Sequence, residues 1–497
     1  MPLPDIFWFL TDSICGYPRK DKFSLLKTYQ QLAAAGEGFF FEEALSLFPS
    51  TFGAVYSMLT GRFPCYTICD YAPRPEPWHR RSWERNYLRL LSQAGYRVFS
   101  LVCYEVGHRW MATVSEALVD PGSFAGGNQL DARELGDRLR AFLKEDPPSP
   151  LLVFVHFRAG DRGVDRELSR LISFLRAQGR WEEALVLICS DHGYRTFLET
   201  RNPLHFDDVH VASLRPAVFL KLPARWRGRF PPRRVRERIY TIDLWETILD
   251  LLGVSCGFER EAHSFKAALQ GPSASPCRLV RGDAYFAFQP VRRSFVVAGP
   301  YKLNLSARGH QLVRLEGHQE EPWPEPARAR ELLAFFHQTH QRQEALMREQ
   351  VRAAFDHSFL AHLSGQRILL PRAQFPPLLV NTLAELLRHH GNTVIQDLQG
   401  AGGRAFDLGI LVFNRLTGYG LARLKKELKR RGIKVQKFLY INTQLQLVSL
   451  KEGYGAFFWR ELRRRRSLLW KRPAGTLLWL FYFPFFFNWH LRPYYRP

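Results

Sequence analysis

An α/β fold is predicted by two observations: apolar runs of strand length that stop at acids or imidazoles, and helical periodicity between them. Ile6-Phe-Trp-Phe-Leu-Thr ends at Asp12-Ser13. Leu151-Leu-Val-Phe-Val-His156-Phe157 leads into Ala159-Gly-Asp161, and Ala184-Leu-Val-Leu-Ile-Cys-Ser190 leads into Asp191-His192-Gly193. Between the last two runs, the apolar positions from Val164 recur at helical spacing until Gly179 terminates the pattern. Ligands of an open α/β sheet sit beyond the carboxyl ends of its strands, so these polar groups are expected to converge. Asp12, Asp191 and His192 with a hydroxyl residue would make a metal site. Oxygen and imidazole donors suit zinc, manganese or magnesium better than a thiophilic metal.

Further along the chain, Ser50-Thr51 precedes a helical stretch containing Ala54 to Leu59, where a Thr is ordinarily an N-cap. Glu320-Glu-Pro-Trp-Pro-Glu-Pro-Ala suggests a boundary, followed by a polar helical segment from Arg328 to Phe355. A second α/β pattern follows: strands at Arg367-Ile-Leu-Leu-Pro, Thr393-Val-Ile-Gln-Asp, Asp407-Leu-Gly-Ile-Leu-Val-Phe and Val435-Gln-Lys-Phe-Leu-Tyr-Ile. They alternate with an amphipathic helix from Leu378 to His390 and a basic helix from Leu421 to Arg431. This is a smaller C-terminal Rossmann-like or flavodoxin-like unit of three or four strands. Gly400-Ala-Gly-Gly403 lacks the preceding strand-end turn of a nucleotide fingerprint and reads as a loop. The expected organisation is a catalytic domain over 1–345, a helical linker over 346–365, the small α/β domain over 366–460 and a tail over 461–497.

At 497 residues the chain exceeds one ordinary core, and 46% apolar residues mark it as globular. Seven scattered Cys read as reduced thiols of a cytosolic protein; Cys65 and Cys69 have metal-like spacing but no second pair to complete a site. The net charge of +23 is uneven: residues 361–497 carry 23 Lys plus Arg against 6 Asp plus Glu, a net +17, which leaves +6 for the rest. In the tail, Arg463-Arg-Arg-Arg466 and Lys471-Arg472 precede Leu477 to Phe487, eleven apolar residues that include Pro484. A spanning helix needs about 20. Trp470, Trp479, Trp489, Tyr494 and Tyr495 favour a headgroup region, and the arginines favour anionic lipid. The expectation is a monotopic anchor on an anionic membrane surface, ranked above a true span and above a segment docked on protein. Nucleic acid ranks low as a partner, because so dense an apolar block would be poorly soluble. Met-Pro-Leu-Pro-Asp enters the first strand with no leader pattern, so the expected location is cytoplasmic, peripherally attached to the cytoplasmic membrane.

The stretch Phe48-Pro-Ser-Thr51-Phe-Gly-Ala-Val-Tyr-Ser-Met-Leu-Thr60-Gly-Arg-Phe-Pro64 resembles the nucleophile turn of the sulfatases, in which an oxidisable Cys precedes Leu-Thr-Gly-Arg by eight residues. Together with the strand ends, the helix before Ser190-Asp191-His192-Gly193, and Gly299-Pro-Tyr-Lys302-Leu with Leu312-Val-Arg-Leu-Glu316 as a terminal hairpin, the match runs from residue 4 to about 345. The resemblance implies the mixed, helix-sandwiched sheet of the alkaline phosphatase superfamily. The sulfatase-specific groups are exchanged: Thr51 for the Cys, Val55 for a supporting Arg, Cys103 and Glu105 for a Lys and a His, His205 for the sulfate-binding Lys, and Asp12-Ser13 for an acidic pair. That pattern is similar to the phosphotransferase and phosphodiesterase branch, where a metal-bound Thr attacks phosphorus.

The resemblance therefore implies Asp12, Asp191 and His192 as ligands of one divalent metal, zinc or manganese first and magnesium or calcium as alternatives. Thr51 is implied as nucleophile and fourth ligand, and His205 as the group that binds a substrate oxygen or protonates the leaving group. His156 is implied to contact the transferred group, although its apolar run equally suits a core histidine. Asp161 is a candidate for a second metal or the substrate. Three functions compete: metal-dependent hydrolysis or transfer of a phosphate ester, on a phosphorylated or lipid-linked substrate; sulfuric ester hydrolysis; and a non-catalytic scaffold in envelope polysaccharide assembly.

Overall fold

The computed structural model describes residues 2–64, 85–102, 130–158, 161, 163–196, 199, 208–272, 278–284, 293–306, 309–354, 365–370, 377–389, 391–396, 404–413, 427–442 and 447–449. The chain divides into two compact units, Met1–Phe286 with Arg292–Gln343, and Ala287–Val291 with Glu344–Pro497.

In the first unit the strands are β1 (Ile6–Thr11), β2 (Phe39–Phe41), β3 (Ala44–Leu45), β4 (Arg97–Val102), β5 (Leu151–Phe157), β6 (Leu185–Ser190), β7 (Val218–Lys221), β8 (Arg234–Val235) and β9 (Ile239–Tyr240). Seven of them form one mixed sheet in the order β4-β5-β1-β6-β7-β2-β8. The predicted strands β1, β5 and β6 lie side by side and parallel at its centre, with Leu10 opposite His156 and Thr11 opposite both Phe157 and Ser190.

Alternation along these strands sorts the core into two faces. Ile6, Trp8, Leu10, Leu152, Phe154, Leu187 and Cys189 point to one face, under α2 (Thr51–Thr60), α3 (Tyr87–Gln93) and α7 (Leu244–Leu252). Phe7, Phe9, Val153, Val155, Val186 and Ile188 point to the other, under α1 (Lys27–Ala34), α4 (Ala132–Lys144) and α5 (Val164–Ala177). Each large side chain fully buried in such a core contributes about 1.5–3 kcal/mol. Trp8 shows the density of the packing: its ring lies 4.3 Å from that of Phe154 and 5.0 Å from that of Trp245.

Helix α2 starts and stops for local reasons. Ser50 is extended (φ −150°, ψ 154°) at the N-cap, and Gly61 adopts the left-handed φ of 65° that ends the helix. A Cβ on Gly61 would also fall 2.1 Å from the Tyr87 hydroxyl. At the other end, the Phe48 ring occupies the space that a Cβ on Gly53 would need. The Phe-Pro-Ser-Thr-Phe-Gly turn therefore folds tightly over the helix's first residues.

The rest of the first unit is an antiparallel sheet, β10 (Val280–Ala284), β11 (Arg293–Ala298), β12 (Tyr301–Ser306), β13 (Gly309–Glu316) and β14 (Gln319–Pro322), in sequence order. The predicted terminal hairpin is β12–β13. Glu320 and Glu321, read from sequence as part of a boundary, instead pair with β13 as the edge strand. Short helices α6 (Arg180–Glu183) and α8 (Lys266–Gln270) complete the main body, and α9 (Pro326–Ala354) begins after β14, with Leu332 packed on Val296, Leu303 and Leu312.

The second unit contains β15 (Arg367–Leu369), α10 (Pro377–His389), β16 (Thr393–Ile395), β17 (Ala405–Phe413), β18 (Lys434–Asn442) and β19 (Leu447–Ser449). The order is β16-β15-β17-β18-β19, parallel except for β19. The strands follow the predicted parallel pattern with one added antiparallel edge, and most of the expected basic helix from Leu421 to Arg431 lies outside the described residues. Leu369, Phe406, Leu428 and Ile433 form its described core. Among the described residues, no helix is long and apolar enough to cross a membrane; the basic aromatic tail lies outside them.

Candidate metal centre

The register of the central strands builds the site. Because Thr11 pairs with Ser190, the next residue of each strand, Asp12 and Asp191, emerges side by side at the carboxyl end of the sheet. His156 pairs with Leu10 and, by alternation with Leu152 and Phe154, lies on the face that α2 covers. Asp12, His156 and Asp191 are all buried, and one ligand atom from each lies within 4.8 Å of the others. His192 joins them, with Nε2 3.5 Å from Asp191 Oδ2 and 3.9 Å from Asp12 Oδ1.

Hydrogen bonds fix these groups. Asp191 Oδ1 accepts from the backbone N–H groups of Ser13 (3.0 Å) and His192 (2.8 Å). Ser13 Oγ donates to Asp12 Oδ1 at 2.7 Å. Ser190 Oγ accepts from Ile14 N–H at 2.8 Å and lies 2.9 Å from the carbonyls of Thr11 and His192. His192 Nδ1 lies 2.7 Å from the Gly193 carbonyl, which can only accept, so Nδ1 donates to it and Nε2 faces the two carboxylates.

This arrangement fits a divalent cation. Asp191 is fully buried, and among the described residues its Oδ2 accepts no hydrogen bond. Burial, and then the neighbouring Asp191 carboxylate, push the Asp12 carboxyl above its usual range. Burial pushes the His156 imidazole down to about 4, against the pull of Asp12 and with some help from His192, so it is neutral at pH 7 and in ligand form. A cation would answer both carboxylates at once. Two carboxylates and two imidazoles form a donor set suited to zinc or manganese.

The other expected residues fall in different places. Thr51 is the first residue of α2 and half-buried, and the side chain of Ser50 caps none of the helix's N–H groups. Val55 is packed into the apolar core, so the position that holds an Arg in the resembled family has become a packing position. Asp161 is engaged away from the cluster: Oδ1 accepts from Gly163 N–H and Oδ2 from Ala132 N–H, both at 2.8 Å, which joins the start of α4 to the turn before α5. His205, Cys103 and Glu105 lie outside the described residues. Sequence reasoning missed Ser13 and Ser190. The one available signal was their position directly beside an acid at a strand end.

No sequence-family model matches the chain, and no curated protein matches it. Solved structures do. BT1596, described as a 2-O GAG sulfatase, matches at a TM-score of 0.53 with 13% identity over 68% of this chain and 92% of its own. A structure from work on the metabolism of multiple glycosaminoglycans by Bacteroides thetaiotaomicron matches at 0.52 with 12% identity, over 68% of this chain and 99% of its own. Ps i-CgsB in complex with k-i-k-neocarrahexaose matches at 0.52 with 13% identity, over 68% and 92%. Identities this low speak to architecture alone: the chain has a sulfatase-like fold.

Proposed function

We propose that this protein is a metal-dependent phosphoric ester hydrolase or phosphotransferase with Thr51 as its nucleophile. The observation that carries this is the convergence of Asp12, Asp191, His156 and His192 at the strand ends, on the sheet face covered by the helix that Thr51 begins. A divalent cation held by these residues would lower the pKa of the Thr51 hydroxyl and neutralise charge developing on the phosphoryl oxygens. Thr51 Oγ1, its proton passing to water, then forms the new bond to phosphorus as the leaving-group P–O bond breaks, and His205 supplies the proton that the departing oxygen needs. Water or an acceptor hydroxyl then attacks the phospho-threonine and gives its proton to His205, while the Thr51 oxygen leaves with its bonding electrons and regains a proton from water. The N-terminal N–H groups of α2, left uncapped by Ser50, suit an anionic group beside Thr51.

Sulfuric ester hydrolysis is the second reading, because the similar structures above include sulfatases. Against it stand Thr51, which cannot become formylglycine, and the apolar packing of Val55. Parallel assays of the full chain on aryl phosphodiester and aryl sulfate substrates separate the two. Phosphate ester turnover with a phosphorylated Thr51 trapped by mass spectrometry is expected. Full turnover by Thr51→Ala, or turnover of the sulfate ester alone, would sink the proposal.

The basic aromatic tail supports placing this chemistry at an anionic membrane surface, on a lipid-linked or polysaccharide-bound phosphodiester. Co-sedimentation with anionic but not neutral vesicles is expected, with loss on replacing Arg463 to Arg466 by Gln.

A further inference from the structure

We propose that Ser13 is the positioning residue of the cation site: it ties one oxygen of Asp12 and one of Asp191 and, contributing no carboxylate itself, leaves a donor set that prefers zinc or manganese to calcium. The proposal rests on the metal-dependent chemistry put forward above and concerns which cation the site selects.

Ser13 has a φ of 66°, in the left-handed region that serine rarely occupies, and one of only two described non-glycine residues to do so. It is also buried, at 2% exposure. That conformation has a visible result. It turns the Ser13 N–H onto Asp191 Oδ1 at 3.0 Å, while the hydroxyl donates to Asp12 Oδ1 at 2.7 Å. The following residue continues the bracket, with Ile14 N–H on Ser190 Oγ at 2.8 Å. A single residue thus spans two carboxylates carried by different strands, and a non-glycine residue is held in a costly conformation at that point.

Asp191 Oδ1 is taken up by hydrogen bonds, while Oδ2 accepts none among the described residues, so Asp191 offers a cation one oxygen rather than a bidentate pair. Calcium takes six to eight oxygens, commonly from several carboxylates. Here a hydroxyl occupies the position next to Asp12 where an added acid would supply oxygens, and imidazoles make up half of the set. Zinc and manganese accept that mixture and a lower coordination number.

The test uses the full chain, stripped with a chelator and titrated with Zn²⁺, Mn²⁺ or Ca²⁺ alone by calorimetry. Ser13→Gly keeps the backbone conformation and the N–H but removes the hydroxyl; it is expected to weaken Zn²⁺ and Mn²⁺ by about tenfold. Ser13→Asp tolerates the same backbone and restores an acid; Ca²⁺ is expected to tighten by about tenfold or more relative to Zn²⁺. Thermal unfolding of each cation-free variant checks that the fold is retained, and Ser13→Ala stands in if the glycine variant fails to fold. Wild-type affinities in Ser13→Gly, or an unmoved Ca²⁺ to Zn²⁺ ratio in Ser13→Asp, would overturn the role of Ser13. A wild-type protein that binds no divalent cation would instead overturn the metal-dependent function itself.

Discussion

Two kinds of buried polar cluster in the first unit differ in how their charges are answered. Arg281 and Asp283 are fully buried and paired at 3.2 Å; Ser294 bonds Asp283, Thr339 and Gln343 bond the guanidinium, and the Phe336 ring lies beneath it. Lys302 and Glu320 pair at 2.5 Å, and Glu320 also accepts from Val211 N–H and Asn304. At the strand ends, by contrast, two carboxylates lie close together beside two imidazoles, and Asp191 Oδ2 accepts no hydrogen bond among the described residues. Burial of charge is common to all three, so burial alone does not mark function. Like charges gathered side by side are a better mark, because a bound cation would offset their desolvation and mutual repulsion.

Activity should separate the two kinds of cluster most strongly. Asp191→Asn and Thr51→Ala are each expected to lower turnover about a thousandfold or more without unfolding the protein, measured on an aryl phosphodiester with far-UV circular dichroism as control. Asp283→Asn should leave the folded enzyme active.

Stability should show the reverse. Asp283→Asn leaves the Arg281 guanidinium buried without its counter-charge and is expected to cost about 3–5 kcal/mol, read from the urea midpoint. In chelator-treated protein, Asp191→Asn relieves like-charge crowding, so its midpoint should equal or exceed that of the wild type. A large loss there would place both clusters in the same structural class.

Cation addition gives a smaller effect. At about a hundred times Kd, Zn²⁺ should stabilise the wild-type protein by about 2.7 kcal/mol and stabilise Asp191→Asn far less. Equal shifts in both would move the binding site elsewhere.

The smallest difference is the response to acid. Against the upward push of burial, Lys302 and His210 hold Glu320 below its usual range, so its contribution is present above the ordinary glutamate pKa and lost as pH falls through the lower folded value. Asp12 in cation-free protein is shifted upward by burial and Asp191, so its contribution is present below its unfolded pKa and lost as pH rises through the folded value. Glu320→Gln should therefore flatten the acid loss of stability, and Asp12→Asn should steepen it, in urea midpoints taken from about pH 3 to 6.

Much of this arrangement was legible in the chain. Runs of strand length ending at Asp12, Phe157 and Ser190 located β1, β5 and β6, because long apolar segments bounded by polar turns leave little choice of structure. Helix α5 and its Gly179 stop were legible for the same reason. Strands β10 and β14 were not: Val-Arg-Gly-Asp-Ala and Gln-Glu-Glu-Pro carry no apolar run, and each is a strand only because a neighbouring strand supplies its hydrogen bonds.

At the site, Asp12, Asp191 and His192 were legible as candidate donors, since each stands at the end of a strand and a parallel sheet brings such ends together. Folding adds the placement of His156 beside them and the backbone hydrogen bonds that both oxygens of Asp161 accept. His156 was ambiguous because a histidine within an apolar run reads the same whether it faces core or ligand; the pairing of β5 with β1 resolves this by setting it opposite Leu10. Asp161 has the residue type of a ligand, yet both its oxygens are taken by backbone donors that local sequence does not reveal. Ser13 was hidden most completely, because its contribution resides in a backbone angle and in two acids that are brought within its reach only when β1 and β6 pair.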